Sequence, residues 1–216
     1  MKEVFGKITL FNADCMDVMR EMPNKAFDLA IVDPPYGLGI DGQKKTQNKN
    51  PKHNRKFHQK KNWDTKIPPP EFFEELHRVS ENQIIWGANY FVKYLTCATK
   101  GWIVWDKGQR GLTMSDCELA FSSFHKPTRV ILVSRGELTK DKTIHPTQKP
   151  IKLYKSLLIN YAKRGDQILD THLGSGSLAI ACHELGYEMT GIEIDPDYYA
   201  DARERLIAFQ LQQKLF

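Results

Sequence analysis

Cysteine is scarce in this chain. Its four residues, Cys15, Cys97, Cys117 and Cys182, include no Cys-x-x-Cys pair. That argues against a disulfide framework and a structural zinc, so no metal is expected and a reduced, cytoplasmic setting is the simple reading. Long apolar runs are missing too. Nothing approaches the ~18 residues of a membrane span, and the opening Met1-Lys2-Glu3-Val4-Phe5-Gly6-Lys7 has no signal-peptide core. Internal repeats are absent. Charge of one sign is lacking over most of the chain. Asp41 to Trp63 carries eight Lys or Arg against one acid, a local +7 within a net +5, which leaves the remainder at −2. At 216 residues the chain is expected to form one domain, 1–216, with a sizeable core and a basic insertion at 41–63.

The stretch most dense in chemistry is Phe27 to Gly37. Leu29-Ala30-Ile31-Val32 is a short apolar run that ends in Asp33-Pro34-Pro35-Tyr36. Such a run, bounded by turn residues, reads as a strand buried on both faces. The prolines stop it, because neither can donate to a ladder, and Pro34 keeps Asp33 extended. A carboxylate, a rigid carbonyl-bearing turn and a ring are thus presented at the carboxyl end of a strand, where open α/β sheets bind ligands.

The rest of the chain alternates strands and helices. Strands are expected at Ile8–Leu10, Gln83–Trp86, Gly101–Lys107, Glu118–Phe121, Arg129–Val133, Gln167–Asp170 and Met189–Ile194. The pair 118–121 and 129–133 reads as an edge hairpin. Helices are expected at Met16–Met22, Glu71–Val79, after Gly87-Ala88-Asn89-Tyr90 as far as Leu95, at Thr147–Lys163 and Leu178–Leu185, and after Asp195-Pro196. In that last helix Tyr199, Ala202, Leu206 and Phe209 recur at helical spacing. Gln43 to Asn62 has almost no apolar residues and should be mobile alone. Its Lys44, Lys45, Lys52, Arg55, Lys56, Lys60 and Lys61 suit DNA phosphates, though a charge run is more often a solvated loop. Lys107 and Arg110, in a glycine-rich turn, are further candidates. Tyr90 reads as a core aromatic, with pocket lining as the alternative for Asn89 and Tyr90.

A second cluster comes late: His145-Pro146-Thr147-Gln148-Lys149-Pro150, then Asp170-Thr171-His172-Leu173-Gly174-Ser175-Gly176-Ser177, then Gly191-Ile192-Glu193-Ile194-Asp195. The glycine turn follows a strand and opens a helix, so a backbone could approach a ligand closely there. It departs from Gly-x-Gly-x-x-Gly, which weakens a nicotinamide-enzyme reading. Glu193, at the end of the next strand, can accept the hydroxyls of a ribose. Asp195 reads as a helix cap.

Taken together and in this order, these motifs resemble the amino-methyltransferases, which methylate the exocyclic N6 of adenine or N4 of cytosine in DNA. The catalytic motif comes first and the cofactor loop last, as in the family's permuted β group of phages and bacteria. The resemblance implies a Rossmann-like α/β fold, a mostly parallel sheet with an antiparallel edge hairpin and helices on both faces. It implies S-adenosylmethionine as cofactor, with Asp14, Asp33, His145, Thr147, Lys149, Asp170, His172, Gly174, Ser175, Gly176, Ser177 and Glu193 as its candidate contacts. For Asp14 a plain helix N-cap weighs equally, and Lys149 could be a surface lysine. His172 stands where the family usually has an aromatic, which puts that contact in doubt.

The resemblance also implies roles for Asp33, Pro34, Pro35 and Tyr36. Asp33 and the Pro34 carbonyl would accept hydrogen bonds from an amino group, Pro35 would stiffen the turn, and Tyr36 would stack on a base flipped from double-stranded DNA. Asp in the first motif position is commoner in the adenine enzymes, so N6-adenine methylation is the first reading. N4-cytosine or RNA methylation is the near alternative. A non-catalytic DNA-binding protein on this fold and a nicotinamide oxidoreductase are readings from other classes. A homodimer and a cognate restriction nuclease are open partners.

Overall fold

The computed structural model describes residues 1–42, 59–95, 100–111, 115–134, 136–137, 141 and 143–213. Among the described residues nine strands make one sheet in the order β1-β2-β9-β8-β3-β4-β6-β5-β7. They are β1 (Lys2–Phe5), β2 (Ile8–Asn12), β3 (Phe27–Val32), β4 (Ser80–Trp86), β5 (Ile103–Asp106), β6 (Cys117–Ser122), β7 (Arg129–Leu132), β8 (Gln167–Asp170) and β9 (Glu188–Glu193). The central run β2-β9-β8-β3-β4 is parallel throughout.

Residue alternation in β3 explains why it lies at the centre. Leu29 and Ile31 enter one apolar cluster and Ala30 and Val32 the other, so a continuous apolar run serves both faces. Helices α1 (Cys15–Arg20) and α2 (Pro70–Val79) cover the Ala30 face. In α2, Phe72, Phe73, Leu76 and Val79 are buried, and Pro70 opens the helix where its missing N–H costs nothing. Burying one such side chain stabilises the fold by roughly 1.5–3 kcal/mol. The other face takes α3 (Ile151–Tyr161), α4 (Ser177–Leu185) and α5 (Pro196–Gln213). Gly186, at φ +78°, ends α4 in the left-handed conformation.

Three expectations are corrected. β6 and β7 are not a hairpin: β5 lies between them, antiparallel to β6 and parallel to β7. The antiparallel hairpin on that side is β5–β6, and β6 is also antiparallel to β4. A second hairpin, β1–β2, closes the opposite edge. β1 has no apolar run to announce it, because an edge strand needs none. The expected helix to Leu95 is two 3₁₀ turns, Ala88–Tyr90 and Val92–Tyr94. The helix expected from Thr147 starts at Ile151, since Pro150 forces an extended residue ahead of it.

Among the described residues no helix is long and apolar enough to cross a membrane.

Candidate active site

Three neighbouring parallel strands end on the same side of the sheet. β3 delivers Asp33, β8 delivers Asp170 and β9 delivers Glu193. Three carboxylates at one sheet edge would repel one another if all were ionised and unpartnered. The structure resolves this differently at each.

Asp33 has two partners. Its Oδ1 accepts from the Tyr36 hydroxyl at 2.6 Å, and its Oδ2 accepts from Lys149 Nζ at 2.5 Å. Lys149 is 3% exposed, and its ammonium is shared with Glu118 Oε2 at 3.1 Å. Glu118 Oε1 in turn pairs with Lys107 at 2.8 Å. The result is an alternating row, Asp33–Lys149–Glu118–Lys107, with no net charge. Burial pushes the Asp33 carboxyl up from its ordinary range, and the Lys149 cation pulls it back. Burial tends to lower the Lys149 ammonium, but Asp33 and Glu118 outweigh it and hold it above its usual value. Lys149 therefore stands beside the Asp33–Tyr36 turn, and Lys107 is largely buried in its ion pair with Glu118.

Asp170 is buried, and burial pushes its carboxyl up to about 8, with Asp33 and Glu193 adding to the rise. Its Oδ1 accepts from the His172 amide. Glu193 is 8% exposed. Its Oε2 accepts from the Gly174 amide and its Oε1 from the Asp195 amide, both at 2.9 Å. One carboxylate thus pins the glycine loop to the end of β9, and each oxygen keeps a lone pair for a hydroxyl.

The loop itself needs its glycines. Gly174 and Gly176 have φ of +51° and +70°, and a Cβ at Gly176 would lie 3.2 Å from Ala202 of α5. In β9, a Cβ at Gly191 would lie 2.9 Å from Leu173 and 3.0 Å from Leu10. Ser175 and Ser177 hydrogen-bond each other, and Arg205 donates to the Ser175 carbonyl and the Ser177 hydroxyl. Their hydroxyls brace the loop from behind. His172 is half-buried against Phe72, edge to face at 5.3 Å, and desolvation there pushes its ring down to about 4. Its ring packs where the family's aromatic would stand, edge to face on Phe72. His145 lies near Gly174 and packs between Trp63 (5.3 Å) and Tyr198 (4.4 Å). Thr147 Oγ1 sits 3.2 Å from His145 Nδ1. Asp14 caps α1, accepting from the Met16 amide at 2.8 Å. Asp195 Oδ1 caps α5 through the Asp197 and Tyr198 amides.

Tyr36 lies flat on Tyr90, ring centroids 5.2 Å apart, and directly over Gly87. Gly87 has φ +68°, and a Cβ there would lie 2.1 Å from the Tyr36 ring. Tyr90 is 42% exposed, so it lines the mouth of the site and is not a core aromatic. Asn89 is exposed beside it.

Of the basic candidates, Lys44, Lys45, Lys52, Arg55 and Lys56 lie outside the described residues. Lys60 is exposed. Lys61 pairs with Asp195 at 2.5 Å and Asp197 at 2.6 Å, and lies over the Tyr198 ring. Arg110 is exposed but pairs with Asp106.

Sequence reasoning missed Asp64 and Glu118. Asp64 Oδ1 accepts from the amides of Tyr36 and Gly37, and its Oδ2 from that of Ile40. Nothing about an acid after a basic run announces that. Glu118 had a signal, a carboxylate in an otherwise apolar strand, which burial tolerates only with a partner.

The fold and the site together define an S-adenosylmethionine-dependent methyltransferase. The donor set fits the cofactor: the Glu193 carboxylate at the end of β9 could accept ribose hydroxyls, beside a turn whose two glycines adopt positive φ and whose amide at Gly174 it holds. Residues 104–204 match the family model described as DNA methylase. The match spans just under half of the chain and supports the resemblance of its motifs to the amino-methyltransferases. It is 25% identical to the type II methyltransferase M.HpaI of Haemophilus parainfluenzae, over 91% of this chain and 73% of that one. It is 25% identical to the putative methylase YubD of Escherichia coli K12, over 91% and 89%. Similar solved structures include the M1.HpyAVI–SAM complex (TM-score 0.64, 19% identity, 92% and 99% covered) and the cytosine-N4-specific PvuII DNA methyltransferase (TM-score 0.59, 13% identity, 92% and 86% covered). Among the described residues no group of three or more His, Cys, Asp or Glu could hold a metal ion.

Proposed function

We propose that this chain, acting as a single methyltransferase domain, methylates the N6 amino group of an adenine flipped out of double-stranded DNA. The observation that carries the reading is the Asp33 carboxyl, paired with Lys149, at the end of β3 and one strand away from the glycine loop.

S-adenosylmethionine supplies an electrophilic methyl group; Glu193 and the Gly174–Gly176 loop would hold it. Adenine's amino nitrogen is a poor nucleophile because its lone pair is delocalised into the ring. Asp33 and the Pro34 carbonyl accept its two hydrogens and hold it pyramidal, with the lone pair free. The Asp33 negative charge stabilises the positive charge that develops on that nitrogen. Lys149 and Tyr36 fix the carboxylate's orientation beforehand, so little reorganisation is left for the reaction. Tyr36, backed by Gly87 and Tyr90, offers a face to the base. Asp at position 33 supports adenine over cytosine, by the family's tendency.

Lys60, Arg110 and the basic residues of 41–63 would meet phosphates. A cognate nuclease belongs to this reading, supported by the type II methyltransferases among the relatives, and a homodimer is compatible with it. The test is Asp33→Ala. It should lower methyl transfer by about 10²-fold or more while S-adenosylmethionine still raises thermal stability. A variant with full transfer would sink the assignment.

A further inference from the structure

The turn that follows Tyr36 is held in an unusual way. Four of the five amides from Tyr36 to Ile40 donate to one residue, Asp64. Tyr36 and Gly37 reach its Oδ1 at 2.8 and 2.9 Å, Ile40 its Oδ2 at 2.9 Å, and Gly39 its carbonyl at 2.8 Å. Asp64 is 3% exposed, so the clamp is inside the protein. Gly37 and Gly39, at φ +71° and +66°, make the sharp bends on either side of Leu38. What this rigid turn presents to solvent is apolar: Leu38 is 46% exposed and Ile40 51%.

Exposed aliphatic side chains contribute little to the fold, and a turn that only needed to exit the site would be served by polar residues. Here they sit two and four residues beyond Tyr36, and immediately before Asp41, where the +7 segment begins. A base that leaves a duplex opens a slot walled by the apolar faces of its neighbours. Proteins that kink or unstack DNA fill such slots with aliphatic wedges on a stiff support. The pocket for the base and the group that would fill its place then lie on one clamped turn.

We propose that Leu38 and Ile40 form the wedge that enters the duplex where the target base leaves. This rests on the reading that the substrate is a flipped base in double-stranded DNA. Asp64 is a positioning residue for the wedge and for Tyr36 at once.

The test uses the full chain and oligonucleotide duplexes carrying a site mapped from DNA the wild type has methylated. The target base is either paired or placed opposite an abasic position, where no partner holds it in the stack. The Leu38→Ala/Ile40→Ala variant should lose about tenfold or more in kcat/KM on the paired duplex and recover most of it opposite the abasic position. Leu38→Met/Ile40→Leu should behave as wild type, and S-adenosylmethionine should stabilise all three proteins equally. Equal loss on both duplexes would make the turn a support for the catalytic residues only and overturn the wedge. No loss would overturn it too, as would a variant that only turns a dimer into a monomer, since the patch would then cover a second copy. A wild type inert on DNA under every condition would remove the proposed function, and the wedge with it.

Discussion

At the scale of single residues, the site turns on one ammonium shared by two carboxylates. Lys149 is among the most buried charges described, and it sits there because Asp33 and Glu118 flank it. Breaking such a set by removing one member leaves an uncompensated charge. The sign of the consequence can be worked out. Burial raises the Asp33 carboxyl and Lys149 lowers it, so Lys149→Met removes the lowering influence and Asp33 must ionise at higher pH. Transfer needs the ionised form. The acid limb of the kcat profile should therefore move to higher pH in Lys149→Met, with activity partly restored in alkaline buffer. An unmoved limb would mean that Lys149 does not tune Asp33. Asp33 itself was legible in the sequence, because a strand running into two prolines leaves few places for its carboxylate. The Lys149–Glu118 pair was not, since partners 31 residues apart meet only through the order of the sheet.

At the scale of elements, two loops decide the geometry of the catalytic turn. The first is the bend after β4, where Gly87 lies under the Tyr36 ring. Gly87→Ala meets both the left-handed backbone and the ring, and should destabilise the protein by ~1–3 kcal/mol, read as a lower midpoint in thermal or denaturant unfolding. In a Tyr36→Ala background the same substitution should cost less, because only the backbone strain remains. Equal costs would show that the ring moves away freely. The second loop is the neck of the basic segment. There Asp64 clamps residues 36–40, and Asp41 Oδ2 accepts from the Lys61 and Asn62 amides. Asp64→Ala should cost about 1.5–3 kcal/mol through its unpaired amides and lower kcat more than it weakens cofactor binding. A reduced unfolding midpoint with unchanged kcat would restrict Asp64 to stability. Most parallel strands and core helices were readable from apolar periodicity. The β5–β6–β7 arrangement was not, because strand order at a sheet edge depends on pairings that local pattern does not encode.

At the scale of the whole molecule, the sheet places the proline turn, the glycine loop and Glu193 at the ends of three adjacent strands, although 137 residues separate Asp33 from Asp170. Motif order could announce that juxtaposition only through resemblance to a family; the fold supplies the physical reason for it. The charge is uneven, +7 in 41–63 against −2 elsewhere, and in sequence that segment follows directly on the Asp33–Tyr36 turn. The central claim is that this arrangement methylates adenine in DNA. Mass spectrometry of nucleosides tests it most directly, on unmethylated DNA incubated with the protein and S-adenosylmethionine. The account predicts N6-methyladenine in wild-type digests and none with Asp33→Ala. N4-methylcytosine in its place, or no methylated base from a protein that binds S-adenosylmethionine, would contradict it.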